Sequence, residues 1–220
     1  MVVLGILGSC CMAWCLCVQA AQIQKNMAAD IVFPYAVPGT PLIVEGMVSY
    51  EGAFLENADR EEVAEVAALL LRNTGAQGIT ESRVTVKQGD RLLRFYLTEL
   101  PPEASLLVLE EAGQSYTREP VQCCEGTAVC GEAGWNPEEY LELREVEPGG
   151  LEIVNRKDFA LRDLRLWYKP AYPEGDFYLG GLTWEILVGD LEPGGRICVY
   201  PEHYCSGVSR ILRCSWEGEK

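Results

Sequence analysis

The chain has 220 residues, with 18 Lys and Arg against 33 Asp and Glu, one histidine and a net charge of −15. A surface this acidic repels nucleic acid and anionic membrane, which excludes both as partners of the folded part. Beyond an apolar start, about 200 residues remain, enough for one large core or two small ones.

The opening stretch, MVVLGILGSCCMAWCLCVQAAQ, carries no charge, and Lys25 is the first charged residue. An apolar run closing on Val18-Gln19-Ala20 predicts a signal peptide over 1–21, cut after Ala20 or Ala21. The same run is long enough to remain as an uncleaved anchor, the one route to a membrane that the sequence offers. A lipid anchor on Cys10 is disfavoured, because few apolar residues precede it and the run continues past it. Both main alternatives put the rest of the chain outside the cell, secreted or on the extracellular face of the envelope. Residues 22–37 read as an N-terminal linker.

From 38 to 118 the sequence is strand-like. PLIVEGMVSY, ITESRVTV, RLLRFYLTEL and SLLVLE are apolar or alternating runs cut by Gly and Pro, as expected of half-buried antiparallel strands. VTVKQGDRLLRF reads as a hairpin with Gln88-Gly89-Asp90 in the bend. REEVAEVAALLLRN has the composition and acidic first turn of a helix. Residues 119–138, REPVQCCEGTAVCGEAGWNPEE from Arg118 onward, show no periodicity and are predicted to be a cysteine-rich acidic linker or long loop. Strand signals resume over 139–216 with YLELREVE, LEIVN, LRDLRLWY, FYLGGLTWEIL, GRICVY and SRILRCSW. Residues 217–220 form a tail.

An internal repeat decides the ambiguous segment. LLLRN ends at Asn73 and LEIVN at Asn155; six residues on lie Ile79 and Leu161, eleven on lie Val84 and Leu166. Each half then reaches an aromatic strand and an acidic-Leu pair before a proline turn, Glu99-Leu100-Pro101 and Asp190-Leu191-Glu192-Pro193. Since LEIVN is a strand, AALLLRN is predicted to be one too. The expected fold is all-β, two tandem antiparallel sandwiches over 38–118 and 139–216.

The order of MVSYEGAFLENADREEVAEVAALLLRNTG, FYLTELPPEASLLVLEE, LWYKP, FYLGGLTWEI and VYPEHYCSGVSRIL resembles a family of uncharacterised exported proteins of Gram-positive bacteria. That family has a YxGxFLE-type opening, an N-T/S-G bend, an L-P-P turn, a Y-K hairpin, a G-G-[IL]-T-aromatic strand and a P-x-H-Y turn. The resemblance implies tandem Ig-like or fibronectin-like sandwiches and implies no activity. The extra cysteines depart from the pattern, Cys205 standing where the family has a small residue.

Three sets of residues carry candidate chemistry. His203, in VYPEHYCSG, has no G-x-S-x-G or other nucleophile to serve, and reads as a turn residue packed on a neighbour. A metal or enzymatic alternative would join it to Cys123, Cys124, Cys130, Cys198, Cys205 and Cys214, whose spacings match ligand patterns only loosely. In an exported chain these six cysteines read first as disulfides. Cys198–Cys214 would staple two strands while Cys205 reaches a linker cysteine; alternatively, all three later cysteines reach the linker. The absence of C-x-x-C argues against a redox enzyme. The acidic runs Glu56–Glu62 and Glu138–Glu147 lack calcium-loop spacing and read as solvated faces. Of the aromatics, Tyr172 and Tyr178 in the inserted KPAYPEGDFYLGG hairpin, with His203 and Tyr204, are the candidates for ligand contact.

The sequence thus predicts an exported, non-catalytic structural or binding module without a cofactor, its partner an extracellular protein or glycan. A small-ligand carrier with a pocket between the domains is a further alternative.

Overall fold

The computed structural model describes residues 30–57, 61–131, 134–173 and 176–218. The expected signal peptide over 1–21 lies outside them. The chain is all-β. The first half holds β1 (Tyr35–Ala36), β2 (Leu42–Ala53), β3 (Glu62–Asn73), β4 (Gly78–Gln88), β5 (Arg91–Leu100), β6 (Ser105–Leu109) and β7 (Val121–Gly131). After a 3-10 turn at Pro137–Glu139 come β8 (Leu141–Val146), β9 (Gly150–Asn155), β10 (Leu161–Pro170), β11 (Phe177–Leu179), β12 (Trp184–Leu191), β13 (Arg196–Val199) and β14 (Ser209–Ser215).

The strands form four sheets, ordered β1-β2-β3-β6-β11, β5-β4-β7, β13-β9-β8 and β12-β10-β14. All ladders are antiparallel except β6–β11. Inward-pointing residues of the first two sheets share one core, in which Leu69 and Leu71 of β3 meet Val84 of β4, Phe95 of β5 and Leu106 of β6. The other two sheets close on a second core around Ile153, Leu166, Tyr168 and Ile186. Face-to-face sheets with alternating burial are a sandwich arrangement.

The repeat is visible strand by strand. The ladders β2-β3-β6 and β5-β4-β7 recur as β8-β9-β13 and β12-β10-β14. Both buried asparagines act alike. Asn73 Nδ2 donates to the carbonyls of Gln77, Leu100 and Pro101, and its Oδ1 accepts from Gly75 N–H. Asn155 Nδ2 donates to Phe159, Leu191 and Glu192, and its Oδ1 accepts from Lys157 N–H. Each side chain replaces ladder partners that the bend takes away, tying the end of one sheet to the other.

The strand expected at AALLLRN is present, and two other expectations change. β3 is a strand over its whole length, including the part with helical propensity, and is buried on both faces. Its outer face carries Val66 and Ala68 beneath Phe54 and Leu55, so the inside–outside alternation that would mark a strand is lost. The stretch expected as a linker over 119–138 holds β7, paired with β4 along Val121–Gly131. In the duplicated order β7 corresponds to β14, and it reads as irregular because Gly126 and a bulge break its pattern. Residues of the expected linker 22–37 also join the fold: Ile31 N–H bonds to Val121, Phe33 packs on the first core, and Tyr35–Ala36 pair with β2.

Candidate functional site: a buried charged joint between the halves

The segment between β11 and β12, Gly180-Gly181-Leu182-Thr183, is where the halves meet. Its peptide groups are held from both sides. Lys169, on β10 and fully buried, donates from Nζ to the carbonyls of Gly180 (3.1 Å), Gly181 (2.6 Å) and Leu182 (2.6 Å). Three acceptors match the three hydrogens of an ammonium group. From the first half, Glu56 in the turn after β2 accepts from Gly181 N–H at 2.9 Å on each oxygen, and from Leu109 N–H at 2.8 Å. Thr98 of β5 completes the grip: its N–H bonds to Gly181 O at 2.9 Å, and its hydroxyl meets that of Thr183 at 2.9 Å.

Glycine is required here. Gly180 has φ +80°, and a Cβ on Gly181 would lie 1.9 Å from the Tyr96 carbonyl oxygen. Beside this grip, Arg213 of β14 donates from Nη1 to both oxygens of Glu99, at 3.1 and 3.2 Å. Its guanidinium lies 4.5 Å from the Trp167 ring centre and 5.7 Å from that of Trp135. Such stacking suits the weakly hydrated guanidinium.

Burial governs the charges. It lowers Lys169 to about 7, against the pull of Glu56 and Glu99. It raises Glu56, against the donors Leu109 and Gly181 and the charge of Lys169. Glu99 is also raised by burial, with Arg213 opposing. Chemically the cluster is a clamp: the Lys169 ammonium, the Glu56 and Glu99 carboxylates and Arg213 Nη1 are all directed at other parts of the chain, while Arg213 Nε is buried without a hydrogen-bond partner among the described residues.

The candidate residues from the sequence fall elsewhere. His203 packs on Trp184, ring centres 3.9 Å apart. Tyr204 enters the second core, edge-on to Tyr168, and its hydroxyl donates to Glu145. Tyr172 and Tyr178 do come together, lining a cavity of about 410 Å³ with Ala104, Asp176, Phe177 and Arg210.

The expected disulfides are not formed: none of the six cysteines of the described residues is bridged. The strand pairing expected to bring Cys198 to Cys214 is absent, since β13 pairs with β9 and β14 with β10, and Cys198 is exposed while Cys214 is buried. Cys205 is exposed in its turn and reaches none of Cys123, Cys124 and Cys130, which all sit on β7. Burial pushes the Cys124 thiol up to about 12, which makes it unreactive. Among the described residues, no group of three or more His, Cys, Asp and Glu is placed to hold a metal ion.

Sequence reasoning made none of Lys169, Thr98, Glu99 and Arg213 a site residue, naming Glu99 only as part of a proline turn, and took Glu56 for a solvated acid. The available signal was a lysine inside the apolar strand LRLWYKP. The FLE, LTELPP, YKP and GGLT stretches all contribute to this joint. A scan against protein-family models finds no match, and a search of curated proteins finds none either.

Proposed function

We propose that the protein is an exported, non-catalytic pair of Ig-like sandwiches, a structural or binding module at the cell envelope, allied to the exported Gram-positive family that its sequence resembles. The observation that supports this is the charged joint. Its buried ammonium, its carboxylates and the Nη1 of its guanidinium are directed at backbone and at one another, which suits holding two sandwiches in one fixed relation better than turning over a substrate. A rigid pair presents its surface loops at set distances, as an envelope scaffold or receptor requires. The partner in this reading is an extracellular protein or glycan.

The test is location and retention. External protease added to intact source cells should cleave the protein, and purified envelope should carry it down on sedimentation. A protein shielded from the protease, or one left wholly in the supernatant, would sink the proposal.

A further inference from the structure

The cavity beside β11 holds an unusual set of groups. Tyr172, 41% exposed, is stacked on Phe177 with ring centres 5.0 Å apart and planes 8° apart. This fixes the Tyr172 ring as a platform. Arg210 uses one nitrogen on the Ser209 carbonyl, at 3.0 Å. Among the described residues it has no carboxylate within ion-pair distance, although Asp176 lines the same cavity. Asp176 likewise has no hydrogen-bond partner among the described residues. A cation and an anion therefore share one cavity without pairing.

We propose that this cavity is a saccharide subsite, its ligand a neutral pyranose of an extracellular glycan. A small anion would meet Asp176, and a small cation would meet Arg210. A sugar hydroxyl satisfies both, accepting from the guanidinium and donating to the carboxylate. The C–H face of the ring covers the Tyr172 platform, as apolar surface covers any aromatic face. The volume of about 410 Å³ falls within the range of ligand sites. An extended peptide fits less well. The outer edge of β11 is already taken by the Ala171–Tyr178 bridge and by Tyr172 N–H on the Phe177 carbonyl, so strand addition is blocked there. Ala104, from the turn before β6, closes the cavity from the first half, so the subsite depends on the halves being held together.

The inference rests on the binding-module reading, and one experiment separates them. The full chain is titrated with cellotetraose, chitotetraose and an acetylated tetra-alanine peptide, following the Tyr172 ring and Arg210 side-chain signals by NMR. Saturable shifts with a tetrasaccharide are expected, weakened at least tenfold in Tyr172→Ala and in Arg210→Ala. Both residues are exposed, so an unchanged amide spectrum elsewhere shows that the variants fold. No saturable shift with either sugar, equal binding by Tyr172→Ala, or shifts with the peptide alone would overturn the subsite. If envelope retention then persists in Tyr172→Ala, the module reading stands without this subsite. If the wild-type chain is not retained at all, the module reading fails instead.

Discussion

Lys169 shows most directly what burial does to a charge in this protein. Its ammonium has given up water for three carbonyls and the nearby Glu56 and Glu99. Replacing it by methionine keeps the stem but leaves those carbonyls and Glu56 uncompensated. Lys169→Met is therefore expected to cost on the order of 3 kcal/mol, read from urea unfolding. Its titration gives a second outcome. The folded value of about 7 lies below the unfolded 10.5, so between them the unfolded chain binds more protons. The contribution of this group is present above 10.5 and lost as pH falls through about 7. Glu56 acts in the opposite sense, because its folded value is raised. Its contribution is present below the unfolded 4.5 and lost as pH rises through the folded value. Stability of the wild type should accordingly climb from neutral towards alkaline pH, and Lys169→Met should lose that climb. A variant with an unchanged alkaline slope would show that Lys169 is not its source. Asn155 is the neutral counterpart. Asn155→Ala strands the Phe159, Leu191 and Glu192 carbonyls at a buried bend, for an expected loss of about 2 kcal/mol by the same measurement.

Among the elements, β7 and β11 were the hardest to read. β7 carries exposed Cys123, Glu125, Thr127 and Val129 on one face, and on the other only Val121 and Cys124 are well buried. With so few apolar anchors, its pairing with β4 supplies the strand character that its composition lacks. A fragment of residues 30–131 should therefore give a dispersed NMR spectrum, whereas one ending at 118 should not, since β4 would lose its partner and the first core would lose Val121 and Cys124. Folding of the shorter fragment would return β7 to the status of a linker. β11 has three residues and no core of its own. It is a strand because Phe177, Tyr178 and Leu179 pair in parallel with Ser105, Leu106 and Leu107 of the other half. No local pattern announces a partner more than 70 residues away. β3 misleads in the opposite direction: its alanines and leucines favour a helix, and covering both faces of the sheet overrides that propensity.

At the scale of the molecule, the two cores are coupled by β11, by the Glu56–Gly181–Lys169 grip and by Glu99–Arg213. Heat unfolding should then be one calorimetric transition, and Arg213→Ala combined with Lys169→Met should separate it into two. Two transitions in the wild type would mean that the joint does not couple the cores. No bridge among the described cysteines contributes to stability, so reductant should leave the melting temperature unchanged, and thiol titration of the unfolded chain should find these six reactive. A drop of several degrees with reductant would restore a structural disulfide.

The sequence by itself determined the all-β class, the duplicated order around Asn73 and Asn155, and the residues Ile79, Val84, Leu161 and Leu166 that fill equivalent core positions. Those features are local: strand alternation, turn chemistry and a repeated spacing are written in consecutive residues. It also contained every residue of the joint without revealing that they meet. Glu56, Thr98, Lys169, Gly181 and Arg213 are far apart in the chain, and each alone looks like a surface charge, a strand hydroxyl or a turn glycine. Only the packing of one half of the chain against the other removes their water and makes them one another's partners. The same holds for the cysteines: an even count suggested bridges, but pairing depends on distance and direction, and the fold leaves Cys198 exposed and Cys214 buried.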